Sequence, residues 1–203
     1  MILAAGFSSR LGRPKALARV RGVSLLRRTV ALAARFAPAR IIVVLPRRAP
    51  RFLIEARGVA AVFAANAQRA KGLSSSVNCG ITRARYSGAV ILLPVDLPDL
   101  KQRDLERLIS RWRATPRRVI ARCVGRGRAP SQGGGALHGG APLILPRWLY
   151  ARARGVQGDI GLRELVSGLP AAQRVLVSLP SALLDVDTPQ DLRAARRRPR
   201  PVD

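Results

Sequence analysis

Two uninterrupted apolar runs constrain the fold of this chain more than any other feature. Residues 40–45 read Arg-Ile-Ile-Val-Val-Leu, and residues 89–94 read Ala-Val-Ile-Leu-Leu-Pro. Neither run alternates with polar residues, so a strand made from it would be buried on both faces, as in a parallel sheet covered by helices. We therefore predict an α/β fold: a single doubly wound, Rossmann-like domain with a mostly parallel central sheet.

Shorter patterns predict the other elements. Ser24 precedes apolar residues at helical spacing, so we expect it to cap a helix. Asp99 is predicted to begin a helix over residues 102–113, and residues 183–192 to form a strand, a turn and a final helix capped by Thr188 and begun by Pro189. Further strands are predicted over residues 59–64 and 118–124, and further helices over 52–56 and 74–85.

The composition argues against several classes of function. The 203-residue chain has 37 Lys and Arg against 11 Asp and Glu, a formal net charge of +26. Its basic residues are scattered and only 4% of residues are aromatic, so nucleic acid is not expected as a partner despite the charge. Two distant cysteines and a single histidine argue against a zinc site or a serine hydrolase triad. The apolar start is too short to span a bilayer and lacks a charged leader, so we expect a cytoplasmic protein with no membrane association.

Residues 3–17 contain the end of a short apolar strand, predicted over residues 2–5, and a loop that favours the binding of phosphate. Small residues, Gly6, Ser8, Ser9 and Gly12, would let backbone N–H groups approach an anion closely. Arg10, Arg13 and Lys15 bring cations to the same place, and a triphosphate is the ligand that we expect. The segment matches neither the Gly-x-x-x-x-Gly-Lys loop nor Gly-x-Gly-x-x-Gly. Taken alone, it could be an ordinary connection with solvated arginines.

The scarce acidic residues mark a second feature of the same edge. Asp96 follows the strand predicted over residues 89–94, and ligands bind beyond the carboxyl ends of parallel strands. Its carboxylate could hold Mg²⁺, although an Asp before Pro98 could also cap a turn. Asp187, in the turn before the last helix, is the candidate for a second metal ligand. Six of the acidic residues fall in three clusters: Asp96, Asp99, Asp159, Asp185, Asp187 and Asp191.

Three serines stand where the helix over residues 74–85 is predicted to begin. Hydroxyl groups beside the unpaired N–H groups of a helix start can bind an anion or a ribose. The competing interpretation is that one of Ser74, Ser75 and Ser76 is simply the N-cap.

Taken together and in order, these motifs resemble the MobA-like nucleotidyltransferases, and most closely the molybdenum cofactor cytidylyltransferases. The resemblance rests on residues 3–17, on Gly-Leu-Ser-Ser-Ser-Val at 72–77, on Gly-Ala-Pro-Leu-Ile-Leu at 140–145, on Gly-Asp-Ile-Gly-Leu-Arg at 158–163 and on Asp-Val-Asp-Thr-Pro-Gln-Asp-Leu at 185–192. Ala141 stands where the family usually has histidine, and nearby His138 is the candidate substitute. The resemblance implies one domain over residues 1–192, of the nucleotide-diphospho-sugar transferase type. The tail over residues 193–203 is rich in arginine and proline, and we expect it to fray.

The resemblance also implies a reaction and a set of site residues. The reaction is transfer of CMP from CTP to the terminal phosphate of a molybdenum-pterin cofactor, with release of pyrophosphate and with Mg²⁺ or Mn²⁺ as cofactor. Lys15, Arg10 and Asp96 would be catalytic, and Asp96 and Asp187 would bind the metal. The implied nucleotide-binding residues are Leu3, Ala4, Ala5, Gly6, Ser8, Ser9, Arg10, Lys15, Ser74, Ser75 and Ser76. The implied acceptor-binding residues are His138, Pro142, Asp159 and Arg163.

Other functions stay open at this stage. Relatives that use GTP more often have Leu-Ala-Gly-Gly where this chain has Leu-Ala-Ala-Gly at residues 3–6. A sugar-phosphate nucleotidyltransferase would share the fold and the metal site. A non-catalytic basic protein that binds the cofactor or nucleic acid is the alternative from another class. A molybdoenzyme or its maturation chaperone is the protein partner that the resemblance implies.

Overall fold

The computed structural model describes residues 1–124, 138–156 and 161–198. The strands are β1 (Ile2–Leu3), β2 (Arg19–Val20), β3 (Val23–Ser24), β4 (Ile41–Pro46), β5 (Ala61–Asn66), β6 (Ala89–Pro94), β7 (Val119–Val124), β8 (His138–Pro146) and β9 (Arg174–Val177). The helices are α1 (Leu25–Ala34), α2 (Pro50–Glu55), α3 (Leu73–Arg83), α4 (Gln102–Ala114), α5 (Tyr150–Gly155), α6 (Gly161–Ser167) and α7 (Pro189–Arg197). In these three ranges, no helix is long and apolar enough to cross a membrane.

The described strands form one large sheet and one hairpin. Seven strands pair in the order β5-β4-β1-β6-β8-β7-β9. Neighbouring strands are parallel, except that β8 runs antiparallel to both β6 and β7. Strands β2 and β3 form a separate antiparallel hairpin. The mostly parallel central sheet predicted from the apolar runs is therefore confirmed.

Side chains of β4 alternate between two cores, which explains its uninterrupted apolar sequence. Ile42 and Val44 pack on one face of the sheet with residues of α3, α5 and α6. Val43 and Leu45 pack on the other face with residues of α1, α2 and α4. Helices therefore cover both faces of the sheet, as the doubly wound fold requires.

Strand β1 is short, but it lies near the middle of the sheet and brings the segment after it to the ligand-binding edge. Outside its two paired residues, the Met1 nitrogen donates to the Ile91 carbonyl at 2.8 Å, and the Ala4 N–H donates to the Val44 carbonyl at 2.9 Å. The carboxyl-terminal ends of β1, β4, β5 and β6 meet at one edge, which is where open parallel sheets bind ligands.

The last helix holds the segment after β1 in place. The Thr188 hydroxyl accepts a hydrogen bond from the Asp191 N–H at 3.2 Å, and the Asp191 carboxylate accepts one from the Thr188 N–H at 2.9 Å. This capping box and the proline at the first helical position confirm the predicted start of the helix. Leu192 packs in one buried cluster with Leu11, so α7 packs against the candidate phosphate-binding segment, residues 3–17.

The prediction that Asp99 begins a helix is wrong. Helix α4 begins at Gln102 with Lys101 at its N-cap. Asp99 instead contacts Arg21 Nη2 at 3.6 Å and Arg198 Nη1 at 3.3 Å. Two guanidinium groups from distant parts of the chain attract the carboxylate more strongly than one turn of backbone N–H groups would.

Two predictions near the end of the chain also need correction. Residues 183–187 form no strand; they have no regular secondary structure, and the Val186 N–H donates to the Asp96 carbonyl at 2.8 Å. The fraying predicted from Arg193 is wrong up to Arg198, because α7 continues to Arg197 and the Arg198 carbonyl accepts from Arg21 Nη2 at 2.9 Å. Residues 199–203 lie outside the described ranges.

Candidate active site

A cavity of about 640 Å³ opens at the carboxyl-terminal edge of the sheet. One wall, the loop side, consists of Leu3, Ala4, Gly6, Phe7, Ser8, Ser9, Arg10, Lys15, Ala16, Arg69, Ala70, Gly72, Leu73, Ser76, Asp96 and Asp187. The other wall, the strand side, consists of Arg122, Val124, Gly139, Gly140, Ala141, Leu143, Leu162, Arg163 and Asp185. Most of the nucleotide-binding residues implied by the resemblance therefore face one cavity.

Ser8 closes the loop that follows β1. Its backbone is in the left-handed region, with φ of 56°, and Gly12 at φ 71° allows the chain to turn again. The Ser8 carbonyl accepts from the Leu11 N–H at 3.0 Å, and the Ser8 hydroxyl accepts from the Lys15 N–H at 2.9 Å. The Ser8 side chain thus sets where Lys15 enters the cavity.

Lys15 lies between two carboxylates. Its Nζ is 2.6 Å from Asp187 Oδ1 and 3.0 Å from Asp96 Oδ2, and its side chain is only 15% exposed. Arg10 reaches the same cluster from the solvent side, with Nη2 at 3.1 Å from Asp187 Oδ2 and a side chain 72% exposed. The predicted phosphate-binding cations and the predicted metal ligands therefore come together, and here they pair with one another.

The carboxylates keep Lys15 charged. Partial burial acts to lower the pKa of Lys15, but the charges and hydrogen bonds of Asp96 and Asp187 outweigh burial and raise it above the ordinary value. The charged Lys15 ammonium group can bind an incoming phosphate, because the phosphate oxygens would replace the carboxylate oxygens as its hydrogen-bond acceptors.

The same two carboxylates fit a divalent cation. In the described parts of the chain, no group of three or more His, Cys, Asp or Glu side chains is arranged to hold a metal ion. Mg²⁺ needs no such group, because it is usually bound by one or two carboxylates together with substrate phosphates and water. Asp96 and Asp187, which both contact Lys15 Nζ, supply that number of hard oxygen ligands.

The serines at the start of α3 do not cap it by their side chains. The N-cap is Gly72, and the Ser75 hydroxyl donates back to the Gly72 carbonyl at 2.8 Å. Asn66, at the end of β5, donates from Nδ2 to Ser75 Oγ at 2.8 Å and to Ser76 Oγ at 3.0 Å. Of the three serines, Ser76 lines the cavity. Its role in nucleotide binding stays a prediction.

The strand side carries a second pair of opposite charges. Arg122 Nη1 donates to the Ala182 carbonyl and to Asp185 Oδ1, the latter at 3.2 Å. Burial raises the pKa of Asp185; Arg122 opposes this effect, while Asp96 and Asp187 add to it. The two walls of the cavity are therefore linked electrostatically through three aspartates.

The predicted acceptor-binding residues lie in different places. Arg163 lines the cavity from α6, whereas Pro142 is buried within β8 and is absent from the cavity wall. His138 begins β8, where its backbone pairs with Val124. Asp159 lies outside the described residues.

Comparison with known proteins identifies the family. The model of the MobA-like NTP transferase domain matches residues 1–175. The chain belongs to this family. Its fold is thus that of a MobA-like NTP transferase domain.

A curated relative from Rhodopirellula baltica is named a probable molybdenum cofactor guanylyltransferase. It is 32% identical over 124 residues, which are 59% of this chain and 58% of that protein. The chain thus spans less than two thirds of the length of this relative.

Several solved structures have a fold similar to that of this chain over nearly its whole length. Rv0371c from Mycobacterium tuberculosis is 26% identical with a TM-score of 0.72, covering 98% of this chain and 97% of that one. A structure of the same protein in complex with manganese is 24% identical, with a TM-score of 0.67 and coverage of 97% and 96%. A nucleotidyl transferase from Methanothermobacter thermautotrophicus is 21% identical, with a TM-score of 0.74 and coverage of 96% and 94%.

In this MobA-like domain, the structure adds polar residues that the sequence did not single out as site residues: Arg69, Arg122 and Asp185 line the cavity, and Asn66 supports two of the serines. Asn66 could have been found as the residue that ends a strand at the ligand-binding edge. Asp185 was visible in an acidic cluster, but nothing in the sequence connected it with Arg122, one of many arginines. Their contact depends on the path of residues 182–187, which local sequence does not specify.

Gly139 sets the distance between the strand side and α6. A β-carbon at this residue would lie 2.6 Å from Val166 Cγ1 and 3.1 Å from the Ala121 side chain. Helix α6 therefore sits directly on the backbone of β8, and it carries Leu162 and Arg163 to the cavity.

Proposed function

We propose that this chain transfers CMP from CTP to the terminal phosphate of a molybdenum-pterin cofactor and releases pyrophosphate. The observation that carries the proposal is the position of Lys15 between Asp96 and Asp187 at the ligand-binding edge. A triphosphate with its divalent cation would replace these contacts. The phosphate oxygens would accept hydrogen bonds from Lys15, and the two carboxylates would bind the metal. Membership of the MobA-like family supports the same reaction class.

The reaction needs no general base from the protein. A phosphate monoester has a second pKa of about 6 and is largely dianionic at neutral pH. An oxygen of the acceptor phosphate forms a bond to the α-phosphorus of CTP, and the bond from that phosphorus to the β-phosphate bridge breaks, so that pyrophosphate leaves with its electron pair. The protein must align the two phosphates and neutralise their charge. Lys15 and Arg10 would hold the triphosphate.

Asp96 and Asp187 would hold the divalent cation, Mg²⁺ or Mn²⁺. Such a cation, when bound, neutralises charge on the phosphates. The manganese complex of the mycobacterial structural neighbour supports the use of a divalent metal.

GTP is the second candidate for the nucleotide. The Leu-Ala-Ala-Gly sequence at residues 3–6 favours CTP by resemblance, whereas the name of the Rhodopirellula relative favours GTP. The acceptor would be the same in both cases. A molybdoenzyme or its maturation chaperone would receive the product.

The deciding experiment measures pyrophosphate release by the purified protein with Mg²⁺ and the molybdenum-pterin cofactor. CTP, GTP, ATP and UTP are supplied in separate reactions, and Asp96→Ala is the control. Release with CTP alone, lost in the variant, supports the proposal, and release with GTP alone changes the nucleotide assignment. Absence of release with all four nucleotides would contradict the proposed function.

A further inference from the structure

Arg122 lies on a different strand from the phosphate-binding candidates of the loop side. Strands β1 and β7 are separated by β6 and β8, so at about 4.8 Å per strand they are about 14 Å apart. The pairing of β7 with β8 changes register between Ala121 and Arg122. Such irregularities redirect side chains and are frequent beside active sites. Here the redirected side chain is an arginine that lines the cavity.

Only one nitrogen of the Arg122 guanidinium group, Nη1, is hydrogen-bonded to the described residues. Nη1 donates to the Ala182 carbonyl and to Asp185, and the side chain is 13% exposed. Nε is buried and has no acceptor among the described residues. Nη2 has no hydrogen bond to the described residues either. A buried donor without an acceptor is unfavourable, and an arginine held this way is prepared for a ligand with several oxygen acceptors.

The surroundings favour an anion with a compact head. Gly139, Gly140 and Ala141 place backbone or a methyl group, and no further carboxylate, beside Arg122. A β-carbon at Gly140 would lie 2.8 Å from Val124 Cγ2 and 3.8 Å from Arg122 Nε, so the missing side chain leaves the guanidinium uncrowded. Arg163 adds a second cation from α6. The planar fork of arginine matches phosphate oxygens well.

A second phosphate that bound on the loop side would compete with the nucleotide triphosphate for the same cations. Lys15 and Arg10 already share Asp187 and Asp96, and a nucleotide triphosphate with its metal would occupy all four. A reaction between two phosphates needs a second cationic site for the attacking phosphate.

We propose that Arg122, positioned by Asp185 and assisted by Arg163, forms a second phosphate subsite that binds the phosphate monoester of the acceptor. The assignment to an acceptor rests on the proposed function. The binding of a phosphate monoester at Arg122 does not.

The kinetic test compares Arg122→Met, Arg122→Lys and Arg174→Met with the wild type. Arg174 is a matched control, because it is a partly buried arginine on the adjacent strand β9, bonded to the Val166 carbonyl and outside the cavity. Arg122→Met should raise the KM for the molybdenum-pterin cofactor at least about tenfold and leave the KM for CTP within about twofold, since only one phosphate is affected. Arg122→Lys, which keeps the charge without the fork, should fall between Arg122→Met and the wild type. An increase in the KM for CTP instead, or no change in either KM, overturns the proposal.

A binding test separates this proposal from the proposed function. Inorganic phosphate is titrated into the wild type and the same variants, and the Arg122 Nε–H signal is followed by NMR, assigned as the signal missing from Arg122→Met. If no nucleotide is turned over, the proposed function fails, but a wild-type signal that shifts with phosphate still supports the subsite. The Kd for phosphate, measured in every variant by isothermal titration calorimetry because Arg122→Met lacks the NMR signal, should then be at least about tenfold weaker in Arg122→Met and unchanged in Arg174→Met. A signal that does not move, or equal affinity in Arg122→Met, overturns the subsite.

Discussion

The two sides of the cavity obtain their cations in different ways. On the loop side, Arg10 and Lys15 belong to one short segment, and the hydroxyl of Ser8 joins its two ends. On the strand side, Arg122 comes from β7 and Arg163 from α6, and the carboxylate that holds Arg122 comes from the residues before α7. Two cations within one segment are visible in the sequence, whereas a cluster assembled from three segments is visible only in the folded chain.

The two sides also differ in charge balance. Each cation of the Lys15 and Arg10 cluster contacts a carboxylate. On the strand side, Asp185 is shared with Arg122 alone, and Arg163 has no ion pair within the described residues. The Lys15 and Arg10 cluster must therefore exchange partners to bind a ligand, whereas on the strand side Arg122 Nε has no acceptor and Arg163 has no ion pair among the described residues. Substitutions on the loop side should therefore affect the kinetics of CTP, and substitutions on the strand side should affect the KM for the acceptor.

The largest effect is expected for Asp96, because its carboxylate contacts Lys15 and is the proposed ligand of the divalent cation. Asp96→Ala should lower turnover about a thousandfold, the upper range for losing one preorganised electrostatic group. Pyrophosphate release measures it, and circular dichroism checks the fold. The matched control is Asp99→Ala, which removes a carboxylate of the same connection but outside the cavity. Near wild-type turnover in Asp96→Ala would remove the metal assignment.

The next effect tests whether the two sides act separately. Lys15→Met should lower kcat/KM for CTP about a hundredfold, a few kcal/mol of barrier, because one charge contact to the triphosphate is lost. The KM for the acceptor should change little. Lys101→Met, at the N-cap of α4 and outside the cavity, is the control. Equal losses for CTP and for acceptor would break the distinction between the two sides.

A smaller effect should come from Asn66, which orients two serine hydroxyls without facing the cavity itself. Asn66→Ala should raise the KM for CTP about tenfold with little change in kcat, because ground-state binding is loosened uniformly. It should also cost about 1 to 3 kcal/mol of unfolding free energy, as the buried hydroxyl of Ser76 and the partly buried hydroxyl of Ser75 lose a donor. Asn78→Ala, on the exposed face of α3, controls for the loss of an amide. An unchanged KM would limit Asn66 to a structural role.

The smallest effect concerns the core that lies beneath both sides. Burial raises the pKa of Tyr150 to about 12 from 10.0, and its hydroxyl has no hydrogen-bond partner among the described residues. Since the unfolded state then ionises first, wild-type stability should fall as pH rises from 10 to 12. Tyr150→Phe should remove this loss, worth about 1.4 kcal/mol at pH 11. Urea midpoints measured between pH 8 and 11 give the difference. The same change of midpoint with pH in the wild type and in Tyr150→Phe would contradict the prediction. Kinetics at neutral pH should not change.

Sequence reasoning succeeded where the physical cause was local or left a strong pattern. Strand β4 is buried on both faces, so its residues could be little but aliphatic, and the cap at Thr188 involves residues within one turn. It failed at Asp99, whose partner Arg198 is 99 residues away. It also failed for residues 183–187, where the N–H of Val186 pairs with the single carbonyl of Asp96 instead of with a strand. Arg122 could not be recognised for the same reason, because its partners come from another part of the chain.

The glycine at the start of β8 has a consequence for the evolution of substrate choice. Any larger residue at Gly139 would meet Val166, so it would hold α6 farther from the sheet and move Arg163 outward with it. The width of the cavity on its strand side is therefore set by a residue whose missing side chain faces the helix. Under the proposed function, exchanging this one residue in related chains would change the room for the acceptor and leave the loop side unchanged.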